Sequence, residues 1–534
     1  MSFKCLFLTG GVVSSLGKGL TAASLALLLE RHGLSVSMLK LDPYLNVDPG
    51  TMNPFEHGEI YVTDDGAETD LDLGHYYRFS SVNLSKLSTA TSGQIYARVI
   101  KKEREGRYLG STVQVVPHIT NEIKEVIRSC VGDQKPDIVI VEIGGTVGDI
   151  ESLPFLEAIR QFRYENAQDC LNFHMTYVPY LKASGEIKSK PTQHSVQTLR
   201  GIGVIPDAIL CRSEVALSGD LKRKISLFCS VPEEAVFNIP DVEASVYELP
   251  LILDEESIAQ FVMSRLGFSS GDRKNNLDDW KKLVSVLKSP KDKISVGVVG
   301  KYLQHKDAYK SIFESLSHAA AGLDCTAEIV PVDADKFDES SLRDCQACLV
   351  PGGFGNRGWE GKILAAKYCR EHNLPYFGIC LGLQVMVVEF ARNVLGLKDA
   401  DSLEMNPQTP HPVVCIMDEQ NQIVDKGGTM RLGAYPCVLE EGSKVLAAYG
   451  YENISERHRH RYEVNNLYEE QFSKAGLRTV GKFLPQGLCE IMELENHNWM
   501  IGVQFHPEFK SKLVAPHPLF KAFISKAMSI RARS

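Results

Sequence analysis

Residues 5–20 read Cys-Leu-Phe-Leu-Thr-Gly-Gly-Val-Val-Ser-Ser-Leu-Gly-Lys-Gly-Leu. An apolar run of strand length, 5–9, enters a glycine-rich turn, and a helical pattern over 20–31 follows at once. That order turns the backbone N–H groups of a helix N-terminus toward an anion, and Lys18 adds a mobile positive charge for terminal phosphates. The spacing departs from the usual phosphate loop. The glycine before Gly17-Lys18 lies one residue too far away, and Gly19 stands where a Ser or Thr holds magnesium. On its own the segment reads as a nucleotide cradle, with a merely tight strand–helix turn as the alternative.

Working outward, apolar runs at 36–41, 138–142, 173–178, 208–211 and 236–239 alternate with helical patterns such as 119–128. This alternation predicts βαβ units and a mostly parallel sheet. The pattern breaks at 269–276, which is small, polar and charged and suits a linker. A basic amphipathic stretch, 277–288, follows, and strand-like runs resume at 294–299, 347–351, 375–379 and 500–505. The expectation is two doubly wound α/β domains, 1–268 and 293–534, joined by 269–292.

The 534 residues favour several domains over one core. Apolar residues make up 44% and charged residues 23%, which argues against disorder and coiled coil. With 58 Lys plus Arg against 67 Asp plus Glu the net charge is -9, so no general attraction to nucleic acid or an anionic membrane is expected. No stretch approaches the ~20 apolar residues that span a bilayer, and the patch 5–8 is too short for a secretory signal. The expected compartment is the cytoplasm. The thirteen cysteines lie mostly isolated in apolar runs and read as buried free thiols. The pair Cys345 and Cys348 has no second pair or nearby His and is discounted as a ligand set.

If Gly19 cannot hold magnesium, other hard oxygens must. Glu142 ends the run 138–141 and precedes Gly144-Gly145-Thr146-Val147-Gly148-Asp149, at the strand end where α/β sheets bind ligands. Asp72 closes an acidic segment that also holds Asp65, Glu68 and Asp70, for which a solvated surface is the alternative. Lys188-Ser189-Lys190-Pro191-Thr192-Gln193-His194 reads either as a second site for a phosphorylated ligand or as an exposed basic loop.

Farther on, an apolar run meets Gly378-Ile379-Cys380-Leu381-Gly382-Leu383-Gln384 and a helical pattern begins. A cysteine on a sharp strand-to-helix turn sits at the positive end of the helix, which favours the thiolate. Upstream, Pro351-Gly352-Gly353-Phe354-Gly355 can supply N–H groups for an oxyanion. Near the C-terminus come His506-Pro507-Glu508. In an extended segment i and i+2 face the same side, so Glu508 can hold the His506 ring in the tautomer that serves Cys380.

Gly378-Ile379-Cys380-Leu381-Gly382 with the distal His506-Pro507-Glu508 resembles the triad-type, class I glutamine amidotransferases. In these the cysteine attacks the side-chain amide of glutamine, forms a glutamyl thioester and releases ammonia. Preceded by the loop 10–19, by Val141-Glu142-Ile143-Gly144-Gly145-Thr146-Val147-Gly148-Asp149-Ile150-Glu151 and by 188–193, the chain resembles the CTP synthase family over essentially its full length.

The resemblance implies that Ser15, Leu16, Gly17, Lys18, Gly19 and Leu20 bind ATP phosphates, with Lys40 nearby, Asp241 bordering the adenine, and Asp72 and Glu142 holding Mg2+. It implies UTP or CTP at Ser14, Asp149, Ile150, Glu151, Lys188, Ser189, Lys190, Pro191, Thr192, Gln193 and Lys224. Glutamine falls to Gly353, Leu381, Gly382, Leu383, Gln384, Glu404 and Arg461, and His57 matches a residue that lines a passage for ammonia. The 457–461 run, by itself, reads as a charged loop. ATP phosphorylates O4 of UTP in this family and ammonia displaces the phosphate. GTP activates, CTP inhibits, the assembly is a homotetramer, and several members form filaments. Two rivals remain, another ATP-dependent amidating synthase and a non-catalytic nucleotide-binding filament protein. The 188–193 element argues against the first, and intact Lys18, Cys380, His506 and Glu508 against the second. Neither 407–427 nor the tail after 510 receives a role.

Overall fold

The computed structural model describes residues 3–269, 276–301, 303, 305–416 and 429–531. Within the expected linker 270–275 lie outside the described residues, as do 417–427 of the unassigned stretch. The chain divides into two compact units, Met1–Asp48 with Asp72–Val284, and Pro49–Leu71 with Ser285–Ser534.

In the first unit, seven described strands form one sheet: β1 (Lys4–Gly10), β2 (Val36–Asp42), β3 (Thr89–Thr91), β4 (Ile138–Ile143), β5 (Cys170–Tyr177), β6 (Ala208–Ser213) and β7 (Val236–Pro240). Their order is β7-β6-β5-β1-β4-β2-β3, and every pairing is parallel. β1, β2 and β4 are buried almost end to end, which is why their sequences run apolar without alternation. Helix α1 (Lys18–Arg31) returns from β1 and buries its Ala- and Leu-rich side. The strand order reverses at β1, which has β4 on one side and β5 on the other, so a crevice opens beyond the carboxyl ends of these strands. The helix Asp278–Lys288 begins in this unit, which runs to Val284. Trp280 is fully buried, its indole N–H donates to Tyr247 O at 2.8 Å, and Tyr247 stacks on Phe79.

The second unit carries a nine-stranded sheet of β8 (Asp292–Gly300), β9 (Cys325–Asp333), β10 (Ala347–Val350), β11 (Tyr376–Ile379), β12 (Arg431–Leu439), β13 (Asn453–His460), β14 (Leu477–Phe483), β15 (Leu488–Leu494) and β16 (Met500–Val503). The order is β9-β8-β10-β11-β16-β15-β14-β12-β13. The sheet is parallel from β9 through β16 and antiparallel beyond it. The 457–461 run, expected as a charged loop, lies largely in β13: Arg457, His458 and His460 are buried on it. Charge hid the strand, because its polar side chains find partners inside the fold. Among the described residues no helix is long and apolar enough to cross a membrane.

Between β11 and helix α2 (Leu381–Asn393) the chain turns at Cys380, and the turn depends on two glycines. A Cβ on Gly378 would lie 2.5 Å from the backbone of Gly382, and one on Gly382 would lie 2.2 Å from the carbonyl oxygen of Val350. Backbone cannot yield as a flexible side chain can. Gly382→Ala should therefore destabilise this unit by about 1–3 kcal/mol, seen as a lower urea midpoint. An unchanged midpoint would contradict the packing described.

Candidate functional site

The phosphate loop is held by its neighbours and bent by its own backbone. Val12 has φ 80°, Ser15 φ 56° and Gly17 φ 88°, three left-handed residues in one short loop. At the β-branched Val12 this is strain, which persists only where the surroundings enforce it. Gly11 N–H donates to Met175 O at 3.0 Å and Val147 N–H to Gly10 O at 2.8 Å. A Cβ on Gly11 would meet Ser195 Oγ, so that glycine lets the following helix of the 190–201 segment close on the loop. No side chain caps α1. Lys18 folds back over Gly10, and its ammonium donates to Gly145 O at 3.0 Å. Burial lowers its pKa from the ordinary value while Glu142 opposes the shift.

Beside Lys18 a buried cluster gathers around the ammonium of Lys40. It bonds Asp72, reaches Glu142 Oε1 at 2.9 Å and lies 3.8 Å from Asp42 Oδ1. Tyr76 donates to the other oxygen of Glu142. Burial raises the Glu142 carboxyl above its ordinary value, with Lys40 opposing. Asp72 meets the same burial, yet Lys40 and His75 hold it below its ordinary value. An ideal Cβ on Gly19 lies 2.1 Å from Asp72 Oδ1, so the carboxylate occupies the place that a Ser or Thr side chain would take in the usual phosphate loop. These carboxylates converge on the Lys40 ammonium, and among the described residues no three His, Cys, Asp or Glu side chains are grouped to hold a metal ion; the donors themselves are the hard oxygens that magnesium takes. Three other acidic residues of that run are committed: Asp64 to Arg457 at 2.7 Å, Glu68 to Arg459 at 2.8 Å, and Asp65 as acceptor from Thr63 at 2.6 Å.

Of the residues expected at UTP or CTP, Ser14, Asp149, Ile150 and Glu151 are exposed near the loop, which two bonds tie to the 145–147 backbone. Lys188 pairs with Glu186. The 188–194 stretch is not a loop throughout: a helix, Lys190–Gly201, begins inside it with Pro191 in its first turn. Thr192 and Gln193 are buried, Thr192 against Thr176 Oγ1 at 3.0 Å and Gln193 donating to Ser189 Oγ at 3.1 Å. Lys190 and Lys224 are exposed. Asp241 pairs with Arg212 at 2.7 Å, and an Arg212 nitrogen lies 3.7 Å from a Cβ placed on Gly17.

In the second unit Cys380 has φ 51° and ψ −101°, a strained turn that lifts the thiol out of the sheet. His506 Nδ1 lies 2.8 Å from Glu508 Oε1. A Cβ on Gly352 would lie 2.7 Å from His506 Cε1 and 3.5 Å from Cys380 Cβ, so the glycine loop, the thiol and the imidazole share one place. They line a cavity of about 220 Å³ with Gly353, Phe354 and Glu508. Glu404 accepts from Gly355 N–H at 2.7 Å, which ties it to the same loop, and burial raises its pKa. Gln384 donates to Tyr462 O at 3.0 Å while its Oε1 has no partner among the described residues. Leu381 and Leu383 are buried in the core, and Arg461 donates to Thr429 at 2.9 Å.

The sequence did not disclose that the segment Pro49–Leu71 lines this cavity through Gly50, Thr51, Met52, Glu59 and Ile60. Glu59 receives the Ser311 N–H at 2.6 Å, and Arg459 reaches Gly50 O at 3.0 Å. His57 lies on a short helix of the same segment, Pro54–His57.

Residues 4–268 match the family model for the CTP synthase N-terminus, and 304–526 match that for class-I glutamine amidotransferase. A CTP synthase of Chlamydia felis (strain Fe/C-56) is 69% identical over 530 residues, spanning 99% of this chain and 98% of its own. The chain belongs to the CTP synthase family. A CTP synthase of Chlamydia trachomatis serovar D is 65% identical over 529 residues, again 99% of this chain and 98% of that one. The glutaminase domain of Trypanosoma brucei CTPS, solved with bound acivicin, is 38% identical over 44% of this chain and 94% of that one, with a TM-score of 0.42. Like its family, the chain is an enzyme that joins synthetase and glutamine amidotransferase parts.

The charge state of His506 matters most for a CTP synthase family member. Burial disfavours its imidazolium, but the Glu508 carboxylate and Cys380 outweigh burial and raise it to about 10. His506 Nε2 has no hydrogen-bond partner among the described residues, and the ring lines the cavity together with Cys380. An unfolded histidine titrates near ~6.5. The pair's stabilisation is therefore fully present below about pH 6.5 and lost as pH rises through about 10. Glu508→Gln should lower the unfolding free energy by on the order of 2 kcal/mol at pH 6, and the gap should shrink toward pH 10. Urea titrations at both pH values check this, and a gap that ignores pH would overturn it.

Proposed function

We propose that the chain converts UTP to CTP with ATP and with ammonia drawn from glutamine. The labour divides between a synthetase domain, 1–268, and an amidotransferase domain, 293–534, with 269–292 joining them. In the amidotransferase, Cys380 attacks the side-chain carbonyl of glutamine after giving its proton to His506. The glycine loop 352–355 offers N–H groups to the oxyanion. His506 then protonates the leaving nitrogen, ammonia departs as the C–N bond breaks, and water deprotonated by His506 hydrolyses the thioester to glutamate. Glu508 keeps the imidazole turned for both transfers. Glu404, the unpartnered Oε1 of Gln384 and Arg461 hold the substrate, with Gly353 and the 381–383 turn beside them.

In the synthetase, Lys18 and the 15–20 loop hold the phosphates of ATP, with Lys40 near and Asp241 beside the adenine. Asp72 and Glu142 hold magnesium, which when bound neutralises charge on the transferred phosphoryl group. O4 of UTP takes that group, and ammonia displaces phosphate to give CTP. UTP lies against Ser14, 149–151, 188–191 and Lys224, with the buried Thr192 and Gln193 supporting that wall from behind. GTP activation, CTP inhibition, a homotetramer and a cytoplasmic location belong to the same reading.

The observation that carries this reading is the pairing in one chain of a buried Cys380-His506-Glu508 set with a phosphate loop in which Asp72 fills the room left by Gly19. Its test is the rise in near-ultraviolet absorbance as UTP becomes CTP, with ATP, magnesium, GTP and either glutamine or ammonium. Cys380→Ala should cut the glutamine-dependent rate by about 10³-fold or more and leave the ammonium-dependent rate within about twofold; equal loss of both contradicts a two-site scheme. Lys18→Ala should lower both rates by about 10²-fold and spare the hydrolysis of glutamine measured without nucleotides. Normal synthesis from ammonium in that variant would remove the phosphate assignment.

A further inference from the structure

His506 is not the only polar side chain at the sulfur of Cys380. Beyond β16 the chain bends at Gln504 and Phe505 and enters a short helical turn, Pro507–Lys510, that carries Glu508, instead of continuing as the extended segment the sequence suggested. Gln504 is fully buried, its backbone N–H donates to Glu490 O at 2.8 Å, and its side-chain Nε2 lies 3.7 Å from Cys380 Sγ.

The orientation of this amide follows from its neighbours. Tyr462 O can only accept, so Gln384 must turn its Nε2 to that carbonyl, at 3.0 Å. The same Nε2 approaches Gln504 Oε1 at 3.4 Å, which leaves the Gln504 NH₂ facing sulfur. Behind Tyr462, His460 Nδ1 donates to the same carbonyl at 2.9 Å, and His458 Nδ1 lies 3.1 Å from His460 Nε2. Burial and Arg431 keep both rings neutral, so each carries its proton on Nδ1. The far end of this chain meets Glu490 and Arg431, paired at 2.7 Å, and the near end meets the sulfur, with His506 and Glu508 beside it.

We propose that Gln504 is a catalytic residue of the glutaminase step: its amide N–H holds the Cys380 thiolate after His506 takes the proton, and releases it as the carbon–sulfur bond forms. A donor to an ionised sulfur stabilises charge that the thiol lacks, and the fixed amide needs no reorganisation when that charge appears. The proposal rests on the reading of Cys380 as the nucleophile of that step.

The test is the rate at which iodoacetamide alkylates Cys380 in the full chain, followed by peptide mass from pH 5 to 10, in the parent, Gln504→Met and Gln504→Glu. Methionine keeps the length without a donor, and glutamate keeps the shape while placing an anion at the sulfur. At pH 7 the rate should fall about tenfold in Gln504→Met, its midpoint moving up by about one unit, and further in Gln504→Glu. Glutaminase kcat/KM should follow the same profiles. If Gln504→Met does not fold by circular dichroism, Gln504→Glu decides alone. Midpoints equal to the parent's in a folded variant overturn the role of Gln504 and leave Cys380 as nucleophile. A parent Cys380 that resists alkylation, in a chain that still hydrolyses glutamine, overturns the reading on which the proposal rests.

Discussion

A parallel strand that passes into a helix within a few residues must reverse direction, and in this chain the reversal is forced through left-handed backbone. Val12, Ser15 and Gly17 do it after β1, and Cys380 does it after β11. Both turns stand at carboxyl ends of parallel strands, where α/β sheets open a crevice and a helix presents its positive end. The rest of each site is arranged to keep the turn possible. Gly11 yields room to Ser195, Gly378 to the backbone of Gly382, and Gly382 to Val350. Strain at such positions survives only because the packing around them leaves no alternative.

The two turns use different charges. Around β1, Lys18 and Lys40 are set among Asp42, Asp72 and Glu142, and two carboxyls that share a lysine part: burial raises Glu142, while Lys40 and His75 hold Asp72 down against the same burial. A buried ion cluster is a poor device for stability, since desolvation offsets most of the attraction. Its members are the residues that the proposed function assigns to magnesium and to the phosphates. Around Cys380 the charge belongs to one imidazole with one carboxylate, and in the proposed glutaminase step its proton is the one that moves. The arginines of β13 serve another end: Arg457 and Arg459 tie Asp64 and Glu68, so the 49–71 segment reaches the cavity wall.

What could be read in the sequence was what lies close together along it. The strand, loop and helix of 5–31 and the turn around Cys380 are local patterns, and their backbone follows from glycine placement and periodicity; His506 and Glu508 do meet, at 2.8 Å, but through a helical turn over Pro507–Lys510 and not along an extended segment. The strand β13 escaped because its buried side chains are charged, and their partners stand 393 and 391 residues away, at Asp64 and Glu68. No periodicity contains a partner so distant. Thr192 and Gln193 show a different limit. The 188–194 run suggests polar groups offered to a ligand, but the helix that begins at Lys190 turns these two inward. For Asp72, composition offered several equal acids, and only the room left by Gly19 distinguishes one of them.

The distribution of unmet hydrogen bonds carries the argument further. Folded proteins leave few buried polar atoms without partners, because each costs about 1–3 kcal/mol. Here several such atoms gather near one turn: His506 Nε2, Glu508 Oε2, Gln384 Oε1 and Lys362 Nζ. Lys362 is fully buried, its amine lies 4.0 Å from a Cβ placed on Gly353, and burial with Lys301 lowers its pKa to about 7. A core under selection for stability alone would have filled these positions with apolar groups. Gln384, His506 and Glu508 are residues that the proposed function places at the glutaminase step, so three of these unmet atoms fall where that reading needs polar groups free to bond a substrate.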